Sequence, residues 1–405
     1  MLNNVEISKL NVTGTLPVTT NLRFNLAVDL GSTGTRGIAY PSNEEIDTIP
    51  EEDWEESFYY KSDFQENYSD IIVMNPTVYD SLEMRFWGPE GAMFSCLKGT
   101  LAKQAGTGDR VSSSTSKANQ EATKVNLHSF IAMELLKYVI DSQIDIPAEQ
   151  IVHLRLTIAM PPEDTDRGRI DEVKREFTGK FEVIFPRLND KSFTYQIDEE
   201  DIVIISECNA VATYFGVMHD EGSAIDNEEN IIILEGGGRS TSVGIIKDGM
   251  LITRLNHNEN DMSGLKLRDL LNELISESKH INRLSDTNAE RALRTGTVRV
   301  GSQTMDVSEE VKAAKKKYVD VCINTITRAL DKAGLSTIDL QKIVYSGRLF
   351  SSTEDEEGNV KIPSLADYVT PVFCEKYKVN VEGIRLSKTY PIPAGLVIYR
   401  LGIED

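Results

Sequence analysis

The sequence predicts an α/β protein made of two related domains. Strand-like and helix-like stretches alternate along its 405 residues, which indicates mixed sheets flanked by helices. One pattern also occurs twice, about half a chain apart. Residues 25–40 read NLAVDLGSTGTRGIAY and residues 231–246 read IIILEGGGRSTSVGII. Each runs in the order apolar strand, acid, glycine-rich turn with hydroxyls, apolar strand. At about 150 residues per domain, the length allows two or three domains with full cores.

In the first copy, apolar runs bounded by glycine and hydroxyl residues read as two strands joined by a tight hairpin. Gly31 and Gly34 open turn conformations closed to other residues. Backbone N–H groups and hydroxyls in such a turn can cradle phosphate oxygens. Asp29, at the end of a buried strand, is placed to hold a hydrated Mg²⁺. Taken alone, the stretch fits an ordinary hairpin with an N-terminal acid equally well. The second copy, with Glu235 in the place of Asp29, points to two related domains that face one anionic ligand.

The composition is that of a soluble globular chain, 40% apolar and 26% charged. A net charge of −21 argues against a general nucleic-acid surface and against attraction to anionic membrane. Cys96, Cys208, Cys322 and Cys374 are scattered without a CxxC, as expected of reduced structural thiols rather than a zinc site or disulfide frame. The start, MLNNVEISKLNVTG, lacks the apolar core of a signal peptide, and no apolar run approaches a membrane span. A cytoplasmic location is expected.

In chain order, residues 1–20 alternate weakly and read as an edge strand or arm. Residues 43–70 are acidic and aromatic around EEDWEESFYY, a solvated insertion or a partner-docking surface. A strand-like run follows at 71–74, then an aromatic stretch with Tyr79, Phe86 and Trp87. AGTGDRVSSSTSKA at 105–118 reads as an exposed loop. The spacing turns helical from 118 to 142. A strand is expected at 152–159, then a Pro-Pro break and a helix capped by Asp164 or Thr165. Strands near 181–185 and 202–205 precede a helix over 206–218. After the second hairpin, amphipathic helices are predicted at 263–284 and 308–334. A strand at 342–345, a polar loop at 352–359, a helix around 365–377 and a last packed helix complete the chain.

Five stretches together resemble the actin and DnaK-type heat-shock chaperone ATPase superfamily, in the family's order across residues 25–400. DLGSTGTR at 29–36 looks like its first phosphate motif, SECNAVATYFG at 206–216 like its first connecting helix, and EGGGRSTSV at 235–243 like its second phosphate motif. KIVYSGR at 342–348 resembles the adenosine motif, and PIPAGLVIY at 391–399 sits where the second connecting helix belongs. NDMSGLKLRDLL at 260–271 and the spacing from Val319 to Gly347 lean towards the chaperone branch.

The resemblance implies two ribonuclease-H-like domains, with mixed five-stranded sheets flanked by helices, around a nucleotide cleft. The expected domains are 1–205, with an insertion at about 43–115, and 206–405, with a helical insertion at about 265–335. ATP and Mg²⁺ are the implied ligands. Asp29 and Glu235 fall on the two Mg²⁺-organising acids. Gly31, Ser32 and Thr33 would bind phosphate from one side, and Gly237, Gly238 and Ser240 from the other. Glu207 falls on the position that orients the attacking water. Gly347 would let the backbone approach sugar and base, with Arg348 beside it, and Lys279 is a candidate for the adenine side. Glu235 replaces Asp, Arg239 the third glycine, Ser242 the closing Asp and Arg348 the second adenosine glycine, so nucleotide binding is expected more firmly than brisk hydrolysis. The expected function is an ATP-binding actin/chaperone-like ATPase that couples Mg-ATP binding and slow hydrolysis to domain opening and closing and to partner or self-association. The alternatives are a prokaryotic actin-like filament protein, for plasmid segregation or cell shape, and a small-molecule kinase of the same superfamily.

Overall fold

A computed structural model describes residues 14–15, 22–31, 34–41, 58–61, 64–65, 83–98, 102, 117, 119–165, 167–218, 228–238, 240–354, 359–386 and 391–404. The N-terminal arm, the strand-like run at 71–74 and most of the expected insertion at 43–115 lie outside the described residues. The chain forms two compact units. One is 1–206 together with 392–405, and the other is 207–391. In this division the last helix falls with the first unit, whereas the expected second domain runs to residue 405.

The first unit is built on β1 (Leu22–Leu30), β2 (Gly34–Pro41), β3 (Phe58–Lys61), β4 (Glu83–Gly88), β5 (Gly91–Lys98), β6 (Ile151–Met160), β7 (Gly179–Phe185) and β8 (Lys191–Ser206). The sheet order is β3-β2-β1-β6-β8-β7-β4-β5, with the short strand Phe64–Gln65 outermost. β1 runs antiparallel to β2 and parallel to β6, and β8 runs parallel to β6. Seven residues of β1, Phe24 to Leu30, are buried in succession, as a strand covered on both faces requires.

The second unit repeats this plan with β9 (Ile231–Gly236), β10 (Thr241–Lys247), β11 (Met250–Leu251), β12 (Lys342–Ser346) and β13 (Glu382–Arg385), in the order β11-β10-β9-β12-β13. β9 is antiparallel to β10 and parallel to β12. Counting only β1, β2, β3, β6 and β8 in the first sheet, the order third, second, first, fourth, fifth is therefore common to both units. The expected five-stranded path is met in the second unit, where the strand His257–Glu259 also pairs with β10. In the first unit the path grows to nine strands, because β7, β4 and β5 pair onward from β8 and cover what would be an open edge.

Eight α-helices occur among the described residues: α1 (Glu121–Ser142), α2 (Arg167–Phe177), α3 (Glu207–Met218), α4 (Gly264–Lys279), α5 (Asp286–Thr295), α6 (Ser308–Ala333), α7 (Ala366–Tyr377) and α8 (Pro391–Glu404). α1 is buried almost all round, polar residues Asn126, His128 and Glu134 included. It packs so tightly on β2 that a Cβ on Gly37 would stand 2.3 Å from the Phe130 ring. His128 Nδ1 lies 2.8 Å from the Tyr195 hydroxyl, and its ring packs at 4.5 Å on Phe181. Burial, helped by the charge of Lys124, pulls its pKa down to about 3, so His128 is a neutral core residue. In the second unit α3 lies as closely on β10, where a Cβ on Gly244 would approach Cys208 Cβ to 2.8 Å.

α4 is shorter than the expected 263–284. His280 turns left-handed at φ 54°, and Asn272 Oδ1 accepts from the Leu284 N–H at 3.0 Å, which fixes the chain's exit. α5 and the hairpin of Thr297–Val300 with Gln303–Asp306 fill the expected helical insertion. On α6, buried Lys315 donates to the carbonyls of Pro363 at 2.7 Å and Ser351 at 3.2 Å. Burial pushes its pKa down to about 8. All four cysteines are free thiols, three of them buried. No helix among the described residues is long and apolar enough to cross a membrane.

Candidate functional site

The first hairpin follows from β1 and β2. Asp29, next to last in β1, is buried at 3% exposure. Its ladder partner is Arg36, and the two side chains form an ion pair at 3.5 Å. Arg36 is itself 7% exposed, so this charge pair lies inside the fold, where a low effective dielectric strengthens it. Gly31 follows the last residue of β1, Leu30, and Ser32 and Thr33 lie outside the described residues.

The second hairpin is described almost throughout. Glu235, next to last in β9, is 5% exposed and faces Ser242 across the ladder. The Gly237 N–H donates to the Ser240 carbonyl at 3.0 Å and closes the turn. The Gly237 and Gly238 carbonyls accept from Gly264 at 3.1 Å and Leu265 at 2.8 Å, which ties the turn to the first residues of α4. Ser263 caps that helix through its hydroxyl, which accepts from Lys266 N–H. The Tyr318 hydroxyl, reaching from α6, holds the entry by donating to the Asp261 carbonyl at 2.9 Å and accepting from Ser263 N–H at 2.7 Å.

Glu207, the first residue of α3, is 6% exposed. Its Oε2 accepts a short hydrogen bond from the Ser242 hydroxyl, which also lies 2.8 Å from Asn258 Oδ1. Nearby, Asn256 Nδ2 donates to Asn209 Oδ1 at 2.8 Å. Ser242 therefore connects α3 to the hairpin strand that faces Glu235.

Gly347 begins the turn after β12 with φ 85°, the left-handed region that favours glycine. A Cβ there would stand 2.5 Å from Glu235 Oε1 and 2.6 Å from the Gly236 carbonyl, so only glycine lets this turn lie on the strand-end acid. Arg348 points to Glu290 on α5 at 3.2 Å, and Arg268 on α4 reaches the same carboxylate at 3.9 Å. The structure thus brings Glu207, Glu235, Gly237, Gly238, Ser240 and Gly347 onto connected elements of one unit. Lys279 is placed apart from the turn. It ends α4, roughly 22 Å along the helix from Gly264, in an ion pair with Glu310 at 3.1 Å.

Sequence reasoning passed over Arg36, Glu290, Arg268 and Asn258, and it noted Ser242 only as a departure. For Arg36 and Ser242 a signal existed, since each stands seven residues after its acid. A four-residue turn makes that position the acid's cross-strand partner. Among the described residues no three His, Cys, Asp or Glu side chains form a metal-binding group. Mg²⁺ commonly takes only one or two carboxylates and fills its shell with water and phosphate oxygens, so a strand-end acid beside a glycine turn fits water-mediated Mg²⁺ and not an all-protein cage.

No protein-family model and no curated protein matches the sequence. Solved structures do match in fold. The actin-like protein Alp7A is 15% identical, with a TM-score of 0.63 over 95% of this chain and 98% of that one. ParM in a 15-stranded filament from Clostridium botulinum is 12% identical, with a TM-score of 0.60 over 93% and 98%. ParM of Bacillus thuringiensis with ATP is 15% identical, with a TM-score of 0.57 over 95% and 100%. These neighbours do not show the expected lean towards the chaperone branch. At such identities the likeness establishes the fold: the chain has the mixed α/β, two-domain architecture of the actin-like ATPases.

Proposed function

We propose that this protein binds ATP and assembles with copies of itself, as a filament former of the prokaryotic actin type. The observation that carries the reading is the repeated hairpin, a buried strand-end acid followed by a glycine turn in both units of an actin-like fold. The structural neighbours support the rest, since one was solved with ATP and another as a filament.

In this reading the N–H groups of the two turns bind phosphate oxygens, and Asp29 and Glu235 hold Mg²⁺ through water. When bound, Mg²⁺ neutralises charge on the phosphates. Glu207 orients the attacking water. The turn at Gly347 takes the sugar and base, with Arg348 and Glu290 beside it. The net charge of −21 opposes self-association, so assembly should need screening by salt or Mg²⁺.

Pelleting with Mg²⁺–ATP across a salt series tests the reading. Sedimentation that needs ATP and rises with salt is the expected result. Binding without assembly would instead favour the monomeric, chaperone-like switch. Phosphate release without any added acceptor separates an ATPase from a small-molecule kinase. Asp29→Ala should abolish Mg²⁺–ATP binding, measured by calorimetry, and unchanged affinity would place the ligand elsewhere.

A further inference from the structure

We propose that Ser242 is a positioning residue for Glu207, fixing the plane of its carboxylate for the water that Glu207 orients. The inference rests on the functional reading above. It gives a role to the one residue of the second hairpin that departs from the family pattern by exchanging an acid for a hydroxyl.

Three observations carry it. The first is burial, with Ser242 at 1% and Glu207 at 6% exposure, so solvent does not compete for either group. The second is the contact itself. The Ser242 hydroxyl has one proton and two acceptors in reach, Glu207 Oε2 and Asn258 Oδ1. A hydrogen bond to an ionised acceptor is roughly twice as strong as a neutral one, so with Glu207 in its carboxylate form the Ser242 hydroxyl directs its proton towards Glu207 Oε2. Asn258, behind it, limits the rotation of the hydroxyl. The third is register. Ser242 is paired directly with Glu235, so residues on opposite sides of the ladder place the Ser242 oxygen on the face where the strand-end acid stands. One hydroxyl thereby sets the first residue of α3 against the hairpin. An aspartate at 242 would present Glu207 with a second negative charge where the structure has a donor.

The test uses the full-length protein as wild type, Ser242→Ala, Ser242→Thr and Glu207→Ala. ATP affinity is measured by calorimetry with Mg²⁺, and phosphate release at saturating ATP. Ser242→Ala should bind ATP within about twofold of wild type and lose about tenfold in kcat, the worth of one charge-assisted hydrogen bond. Ser242→Thr, which keeps the hydroxyl, should recover most of that loss. Equal turnover in wild type and Ser242→Ala, with Glu207→Ala inactive, would overturn the proposal and leave the functional reading intact. Equal losses in the Ala and Thr variants would overturn it as well. Failure of the wild type to bind or hydrolyse ATP would remove the functional reading instead. In that event melting of the ligand-free Ser242→Ala, Glu207→Ala and double variants still decides the contact. The double variant should fall short of the summed Tm shifts by about 3 °C, and additive shifts would refute the coupling.

Discussion

The two hairpins have turns of one length and strands in one register, yet their acids are held differently. Asp29 faces Arg36 and is ion-paired at 3.5 Å. Glu235, at the equivalent place, faces Ser242, whose hydroxyl turns to Glu207. One acid is thus neutralised within its own hairpin. Across the ladder from the other stands the Ser242 hydroxyl, with the Gly347 turn closely over the acid. A duplicated backbone has been given two electrostatic roles by one side chain. The first hairpin locks its acid in a charge pair, and the second reaches out to a helix.

The largest expected effect comes from making the first hairpin like the second. Arg36→Ser removes the cation from a buried pair, and such a loss costs about 4 kcal/mol. Denaturant unfolding should report it, with hydrogen exchange placing the loss in β1 and β2. Full stability in this variant would erase the distinction drawn above.

Two buried bases extend the contrast to pH. His128, in the first unit, has its pKa lowered from 6.5 to about 3. Between those values the unfolded chain binds a proton that the folded chain refuses, so stability falls as pH drops. From pH 6.5 to 4 the loss should be roughly 3 kcal/mol, and His128→Leu should flatten that limb. Lys315, in the second unit, has its pKa lowered from 10.5 to about 8. The unfolded chain again binds the extra proton, here between pH 8 and 10.5, so stability rises with pH. A gain of roughly 2 kcal/mol from pH 8 to 10 is expected, absent in Lys315→Met. The two units should therefore answer to opposite ends of the pH scale. The smallest effect concerns helix packing. Gly37→Ala and Gly244→Ala should each cost about 1.5 kcal/mol, with Gly37 the more sensitive because its Cβ would also meet the Ala27 carbonyl at 2.6 Å.

Much of this architecture is legible in the sequence where burial leaves a pattern. Ile231 to Leu234 and Leu26 to Val28 announce central strands, and the acid and glycines after them announce the turns. α6 was readable to within a residue because its apolar stripe continues for 26 residues. The hairpin at Thr297–Asp306 was not, since most of its residues face solvent and alternation carries no signal without a buried side. Lys279 shows another gap. A helix pattern gives the face a lysine occupies, but its partner, Glu310, comes from a separate helix. The nine-stranded extent of the first sheet was likewise hidden, because β4 and β7 join it through pairing across long separations.

The helix α8 has a consequence for how the protein is made. Residues 391–397 are buried, and Arg400 donates to the Asp201 carbonyl at 3.3 Å, so the first unit is complete only with residues 392–405 in place. Residues 207–391 form a single uninterrupted unit. During synthesis, chain segments fold as they emerge. The unit whose strands are translated first therefore receives its last helix only after the whole of the other unit has been translated.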